Sequence, residues 1–260
     1  MLACTRLATR CVCLHNCQGL MQRGVQATCA SLYGNQLHFL ESRQANRPGQ
    51  SSLSFSTGVI QSDDIGIFKK ALKRFGFAGS EKARLKMVSF LLYEDVADKI
   101  IYPEFFDEFN LPNTFNSWFL VTELHVWMLL LRAMAEGSES GEDGRFIRNS
   151  IVEAMWADVN TRAKKLGANN PSGTRAQIEI LSEQFQAALI AYDEGVMSDD
   201  KVLAGALWRR FFEKNCENYV LLERLVSYVR QQVKMLDSLN REDFIGKPKI
   251  RWIPLKDVKC

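Results

Sequence analysis

Histidine is scarce in this chain: of three in 260 residues, only His125 lies beyond position 57. No HExxH, no paired Glu-x-x-His of the di-iron bundles, no glycine-rich phosphate loop and no GxSxG elbow occurs. Glu123, two residues from His125, falls on a different helix face, so the two form no relay within one helix. His125 is therefore expected to be a core histidine bonded to a neighbour, and the chain is expected not to be an enzyme. Cysteine is equally thin beyond the first stretch, where only Cys216 and Cys260 remain. No disulfide framework supports the fold, which must rest on a hydrophobic core; roughly 200 residues suffice for one. Among the early cysteines, Cys11, Cys13 and Cys17 have no second ligand pair at zinc spacing, so neither metal nor cofactor is expected. Two further absences matter. No strand pattern of useful length appears, and the longest apolar run, 114–136, is broken by Glu123 and His125 well short of the roughly 18 charge-free residues of a membrane span.

Acidic residues are nearly missing from the start. Residues 1–57 hold five arginines, no lysine and one acid, Glu41, whereas the remainder has 28 bases against 29 acids. An Arg-rich, Ser- and Thr-containing, acid-poor segment has the composition of a mitochondrial presequence. Helical spacing of Leu2, Arg6 and Arg10 puts both arginines on one side of an import helix. A secretory signal needs a continuous apolar stretch, which is absent. Residues 1–57 are expected to be a disordered targeting segment and linker, with cleavage between Arg43 and Ser62.

What is present beyond Ser62 is helical pattern throughout. Residues 64–76 carry Ile67, Phe68, Leu72 and Phe75 on one side. Ser80 and Glu81 open a helix with Leu85, Val88, Leu91 and Leu92, and Pro103 suits the first turn of a short helix through Phe109. The 114–136 segment is apolar nearly all round, the mark of a central core helix, ended by Gly137. Asp143 is placed to cap a helix with Ile147, Ile151, Met155, Val159, Ala163 and Leu166, which Gly167 ends. After the Asn169-Asn170-Pro171 turn come helices over about 171–195 and 199–211, then a two-faced one over about 218–239. The expected fold is all-α, an irregular bundle of about seven helices spanning 58–246, with an extended, solvated tail over 247–260.

Candidate binding residues follow from this layout. Phe115, Trp118, Phe119 and Trp127 are core material by default, yet a groove for an apolar client uses the same residue types, and the helix 114–131 is the place to expect one. Between Tyr192 and Asp200 four acids crowd into nine residues, at spacings that fail a calcium loop. Gly195 is expected to close one helix by a left-handed cap, Ser198 to cap the next, and Asp199 and Asp200 to sit on its positive end. Asp193 and Glu194 are unfavourable at a helix C-terminus, which makes them candidates to face a basic partner. In the tail, Lys247, Lys249, Arg251, Lys256 and Lys259 offer a contact for RNA or anionic lipid.

Specific strings go further than composition. Leu111-Pro112-Asn113-Thr114-Phe115-Asn116-Ser117-Trp118-Phe119-Leu120, then Leu124-His125-Val126-Trp127-Met128, resembles the signature of the ubiquinol–cytochrome c chaperone family. Tyr192-Asp193-Glu194-Gly195, Ser198-Asp199-Asp200, Ala206-Leu207-Trp208-Arg209 and Tyr228-Val229-Arg230 resemble its later blocks, so the likeness covers about 65–245. The resemblance implies a chaperone on the matrix side of the mitochondrial inner membrane, acting on newly made cytochrome b of respiratory complex III. It also implies a small helical assembly-factor partner, closeness to the mitochondrial ribosome, peripheral membrane contact, and no DNA. It supplies no catalytic residue. The rival expectation is a translation activator that touches ribosomal RNA without holding the client.

Overall fold

The computed structural model describes residues 81–136, 142–246 and 248–259, all within the unit Phe55–Cys260. The expected leader, the linker, the 64–76 helix and the Gly137 stop lie outside the described residues. Seven α-helices follow one another: α1 Glu81–Lys99, α2 Tyr102–Glu108, α3 Phe115–Met134, α4 Glu142–Leu166, α5 Pro171–Met197, α6 Asp200–Arg210 and α7 Tyr219–Ser238. A π-turn at Glu242–Gly246 and a 3-10 turn at Leu255–Asp257 complete the described chain, in which no strand occurs. The fold is all-α, as the periodicity predicts. Among the described residues no helix is long and apolar enough to cross a membrane.

Helix α3 is the axis of the bundle and packs against α1, α2, α4 and α7. Its start is set by Thr114, whose extended backbone and side-chain acceptor for the Ser117 amide (3.3 Å) form an N-cap. From Phe119 to Leu130 every residue is buried. Its apolar side chains each contribute on the order of 1.5–3 kcal/mol by leaving water. The polar residues in this stretch are all partnered, as burial requires. Thr122 donates to the Trp118 carbonyl (2.9 Å) and meets the Tyr102 hydroxyl (3.1 Å). His125 and Glu123 have the partners described below.

The remaining helices wrap this axis with faces set by their spacing. Helix α4 turns Ile147, Ile151, Met155, Val159 and Ala163 inward, and α7 turns Leu225, Val229, Val233 and Leu236 inward. Pro103 sits in the first turn of α2, and Asn170 caps α5 by accepting from the Gly173 amide (3.0 Å) ahead of Pro171. Gly167 follows the end of α4, its amide bonded to the Ala163 carbonyl (2.8 Å).

Three local expectations need correction. Asp143 does not cap α4; it lies inside the first turn and accepts from Arg241 (2.8 Å). Gly195 is not a left-handed cap, because α5 runs through it to Met197. It is glycine because α6 crosses there: a Cβ at 195 would come within 2.8 Å of the Leu203 Cα. Ser198 is the C-cap of α5, and Asp199 caps α6 by accepting from the Val202 amide (3.0 Å).

The tail is extended, as expected, but not solvated. Ile250, Leu255 and Val258 are buried, and the Trp252 ring stands edge-on to His125 at 5.1 Å. Gln232, fully buried on α7, donates to the Ile253 carbonyl (2.7 Å) and accepts from the Ile253 amide (3.2 Å). Its neighbour Gln231 treats Lys259 the same way, at 2.8 and 3.3 Å. Lys249, Arg251, Lys256 and Lys259 keep their side chains exposed.

Candidate functional site

The first turns of α3, the last turn of α4 and the start of α5 meet at one end of the bundle. Phe115, Ala163, Leu166, Thr174, Gln177 and Ile178 line a small, largely apolar cleft there. Phe115 and Trp118 are half-buried, with rings 5.3 Å apart, and Leu166 is 38% exposed. The Arg162 guanidinium lies over the Trp118 ring, 4.6 Å from its centre. Arg162 is in turn fixed by Asp158 (2.9 Å), which also accepts from the buried Tyr93 hydroxyl (2.8 Å). The cleft thus has a rigid aromatic wall and a lip of aliphatic side chains. Its lining offers apolar contact area, with Thr174 and Gln177 as its polar side chains.

Of the four aromatic candidates, two belong to this end and two do not. Phe119 is completely buried against Trp156, ring centres 5.8 Å apart, and Trp127 is buried beside Tyr192 at 5.0 Å. The 114–131 helix, the place where a groove was expected, offers none over Phe119–Leu130, where every residue is buried. Its apolar sides are covered by α1, α2, α4 and α7. What remains open of α3 is its N-terminal turn and, at the other end, Met134, which is 43% exposed.

The acidic stretch is also divided. Asp193 turns inward, accepting from the Trp127 indole N–H at 2.8 Å, and burial lifts its carboxyl to about 6 against the pull of that bond. Its unfavourable helix-end position is answered by an indole inside the protein, where a basic partner was the expectation. Glu194 and Asp199 are exposed, the latter engaged as a cap. Asp200 pairs with Arg230 (2.9 Å), which also donates to the Val196 and Ser198 carbonyls at 2.6 and 2.8 Å. Asp193, Asp199 and Asp200 are thus engaged within the bundle, where they tie α5 to α3, start α6 and join α6 to α7.

His125 sits in the core, its Nδ1 at 2.7 Å from the Val121 carbonyl and its Nε2 at 2.6 Å from the Tyr228 hydroxyl. A carbonyl only accepts, so Nδ1 carries the proton and Nε2 accepts from Tyr228. Burial lowers the imidazole to about 4, partly offset by the backbone bond, so it is neutral at physiological pH. Glu123 is engaged elsewhere, by the guanidinium of Arg210. Among the described residues no group of three or more His, Cys, Asp or Glu side chains converges as metal ligands would.

Sequence reasoning did not single out Ala163, Leu166, Thr174, Gln177 and Ile178 as a surface. The available signal was Leu166, the last apolar position of α4, immediately before the turn that leads into α5.

Comparison with known proteins agrees with this architecture. Residues 107–252 match the family model described as ubiquinol-cytochrome C chaperone. The chain is 70% identical over 202 residues to ubiquinol-cytochrome c reductase complex assembly factor 1 of Drosophila melanogaster, covering 78% of each protein. It is 40% identical over 196 residues to the Homo sapiens protein of the same name, covering 74% of this chain and 64% of the human one. It is 31% identical over 180 residues to the mitochondrial protein CBP3 of Saccharomyces cerevisiae, covering 68% of this chain and 52% of the yeast protein. The crystal structure of the Cbp3 homologue from Brucella abortus superposes with a TM-score of 0.53 at 18% identity, covering 75% of this chain and 99% of that one, which establishes a shared fold. The likeness carried by the 111–128 and 192–230 strings is thereby confirmed: the chain belongs to the ubiquinol-cytochrome C chaperone family.

Proposed function

We propose that this chain is a mitochondrial, non-catalytic assembly factor for ubiquinol–cytochrome c reductase, respiratory complex III, and that its client is newly made cytochrome b. The family membership carried by residues 107–252 is the main support, together with relatives named as assembly factors of that complex and as a mitochondrial CBP3 protein. The acid-poor, Arg-rich residues 1–57 suit import. The cleft has chemistry that suits a chaperone, because a transmembrane client offers apolar surface and Phe115, Trp118, Leu166 and Ile178 offer a matching apolar seat. Holding such a client needs no titrating side chain. The chain acts on the matrix side of the inner membrane, near the mitochondrial ribosome and with a small helical partner protein.

Crosslinking in isolated mitochondria during pulse synthesis tests this reading. Newly made cytochrome b is expected to be captured before its haems are inserted, and to be depleted when the chain is absent. Normal accumulation of cytochrome b in a knockout would overturn it, as would a mature protein found outside the organelle. The second reading, a translation activator that contacts ribosomal RNA, draws on the exposed Lys249, Arg251, Lys256 and Lys259. Crosslinks to ribosomal RNA without crosslinks to cytochrome b would favour it, with binding that weakens steeply as salt rises.

A further inference from the structure

The tail is held by its backbone. Three of its residues are each gripped at both the amide and the carbonyl by side chains of the bundle. Asp95 accepts from the Ile250 amide (2.6 Å) and Lys99 donates to the Ile250 carbonyl (3.3 Å), the two being themselves an ion pair at 2.6 Å on α1. On α7, Gln232 reads Ile253 and Gln231 reads Lys259, each at both polar groups. Arg224 holds a fourth residue, donating to the Leu255 carbonyl at 3.4 Å.

An amide side chain that donates to the carbonyl and accepts from the N–H of one residue replaces a neighbouring strand. Done repeatedly along one segment, this recognises an extended polypeptide whatever its side chains. Specificity then comes from pockets. Ile250, Leu255 and Val258 supply the inward anchors here. Lys256 lines a depression with Glu104, Asp107, Glu108 and Arg224; Arg224 pairs with Glu108 (2.8 Å), which leaves Glu104 and Asp107 as the acids facing the basic strap.

The geometry points to a binding site for an extended, basic and apolar polypeptide segment in the cleft between α1, α2 and α7, occupied in cis by residues 248–259. The occupant that displaces this strap is a segment of another protein with the same chemistry: an extended backbone, three spaced aliphatic anchors and cations between them. Displacement also removes the Trp252 ring that now packs against His125. This site is distinct from the apolar cleft at the start of α3 and stands independently of which complex the chain serves.

The test uses the full chain and a fluorescent peptide of residues 248–259 as the probe. A variant with Ile250→Ala, Leu255→Ala and Val258→Ala loosens the strap and leaves the cleft intact. It is expected to bind the probe saturably and at least about tenfold more tightly than the unmodified chain, in which a tethered competitor acts at roughly millimolar effective concentration. Adding Gln231→Ala and Gln232→Ala to that variant should abolish the gain. A probe with its four cations replaced by glutamate should bind at least about tenfold more weakly. Equal binding of that probe would refute selection for a basic ligand. A folded triple variant that ignores the probe, or an unmodified chain that binds it equally well, overturns the site. A concentration-dependent dimer lost on removing the strap would give the cleft to a second copy and overturn the partner assignment.

Hydrogen exchange on the unmodified chain keeps the proposal refutable if the triple variant fails to fold. The Ile250, Ile253 and Lys259 amides should exchange together and at least about tenfold faster than those of Val229 and Val233. Exchange at the rate of α7 would mean that the strap leaves only when the bundle unfolds, and the proposal fails.

Discussion

Glu123 on α3 and Arg210 at the end of α6 form a two-pronged pair, Nε and Nη2 lying 2.8 and 2.7 Å from the two carboxylate oxygens, with Glu123 fully buried. Gln184 of α5 takes a third guanidinium hydrogen at 3.0 Å, so one interaction ties three helices. Burial lifts the carboxyl to about 7, while Arg210 pulls it back down. Removing one partner of such a pair leaves an uncompensated polar group inside the protein. Arg210→Met should therefore cost about 3–5 kcal/mol, whereas Glu123→Leu with Arg210→Met should recover most of it. Urea unfolding of the two single variants and the double gives the coupling. Equal losses for Arg210→Met and for the double variant would show that the pair is not coupled.

His125 predicts a pH dependence whose sign follows from its burial. The folded imidazole is lowered to about 4, while the unfolded one titrates near 6.5. Between those values the unfolded chain binds a proton that the folded chain does not, so stability from this residue is complete above about 6.5 and is lost as pH falls towards 4. The full difference is on the order of 3 kcal/mol. Glu123 and Asp193, raised by burial to about 7 and about 6, act in the opposite sense, because the folded chain keeps protons that the unfolded chain has released. Subtraction removes both. The stability gap between the unmodified chain and His125→Gln, measured by denaturant unfolding, should shrink as pH drops from about 6.5 to about 4. A gap that stays constant would mean that the ring is already charged when folded.

Two glycines give opposite expectations. At Gly195 the new Cβ would face the Leu203 backbone at 2.8 Å, which cannot swing aside, so Gly195→Ala should force α5 and α6 apart and cost about 1–3 kcal/mol. At Gly205, within α6, the nearest atom is the flexible Arg209 guanidinium at 3.3 Å. Gly205→Ala should raise stability by up to about 1 kcal/mol through helix propensity. Thermal melts of the two variants should move in opposite directions.

Those glycines also mark what sequence could tell. A glycine before Ser-Asp-Asp reads as a helix stop, and nothing local distinguishes it from one that admits a crossing helix. The same limit moved the cap from Ser198 to Asp199, neighbours of equal capping ability. By contrast, the central place of α3 was legible because side chains apolar on all sides leave a helix nowhere else to go. Which part of α3 stays open was not legible, since that depends on where α4 and α5 part company. Glu123 and Arg210 are 87 positions apart and carry no shared pattern. The burial of the tail was hidden because Ile250, Leu255 and Val258, spaced by five and three, fit neither helix nor strand; their register comes from Gln231 and Gln232.

The apolar cleft can be separated from the core beneath it. Leu166 stands at its lip and is 38% exposed, so Leu166→Glu should cost only about 1–2 kcal/mol, from lost apolar burial and an acid at the last turn of α4. A charge on the seat would still repel an apolar client, so the yield of crosslinked, newly made cytochrome b should fall several-fold. Phe119→Ala offers the contrast: that ring is completely buried and touches no solvent, so its loss should cost about 3–5 kcal/mol. Any fall in capture by Phe119→Ala should track the fraction of chain that remains folded. Capture by Leu166→Glu should fall while the fold is intact. If folded Leu166→Glu captures client normally, the cleft beside Phe115 and Trp118 is not where the client sits, and the outward faces of α5 and α6 become the surfaces to mutate.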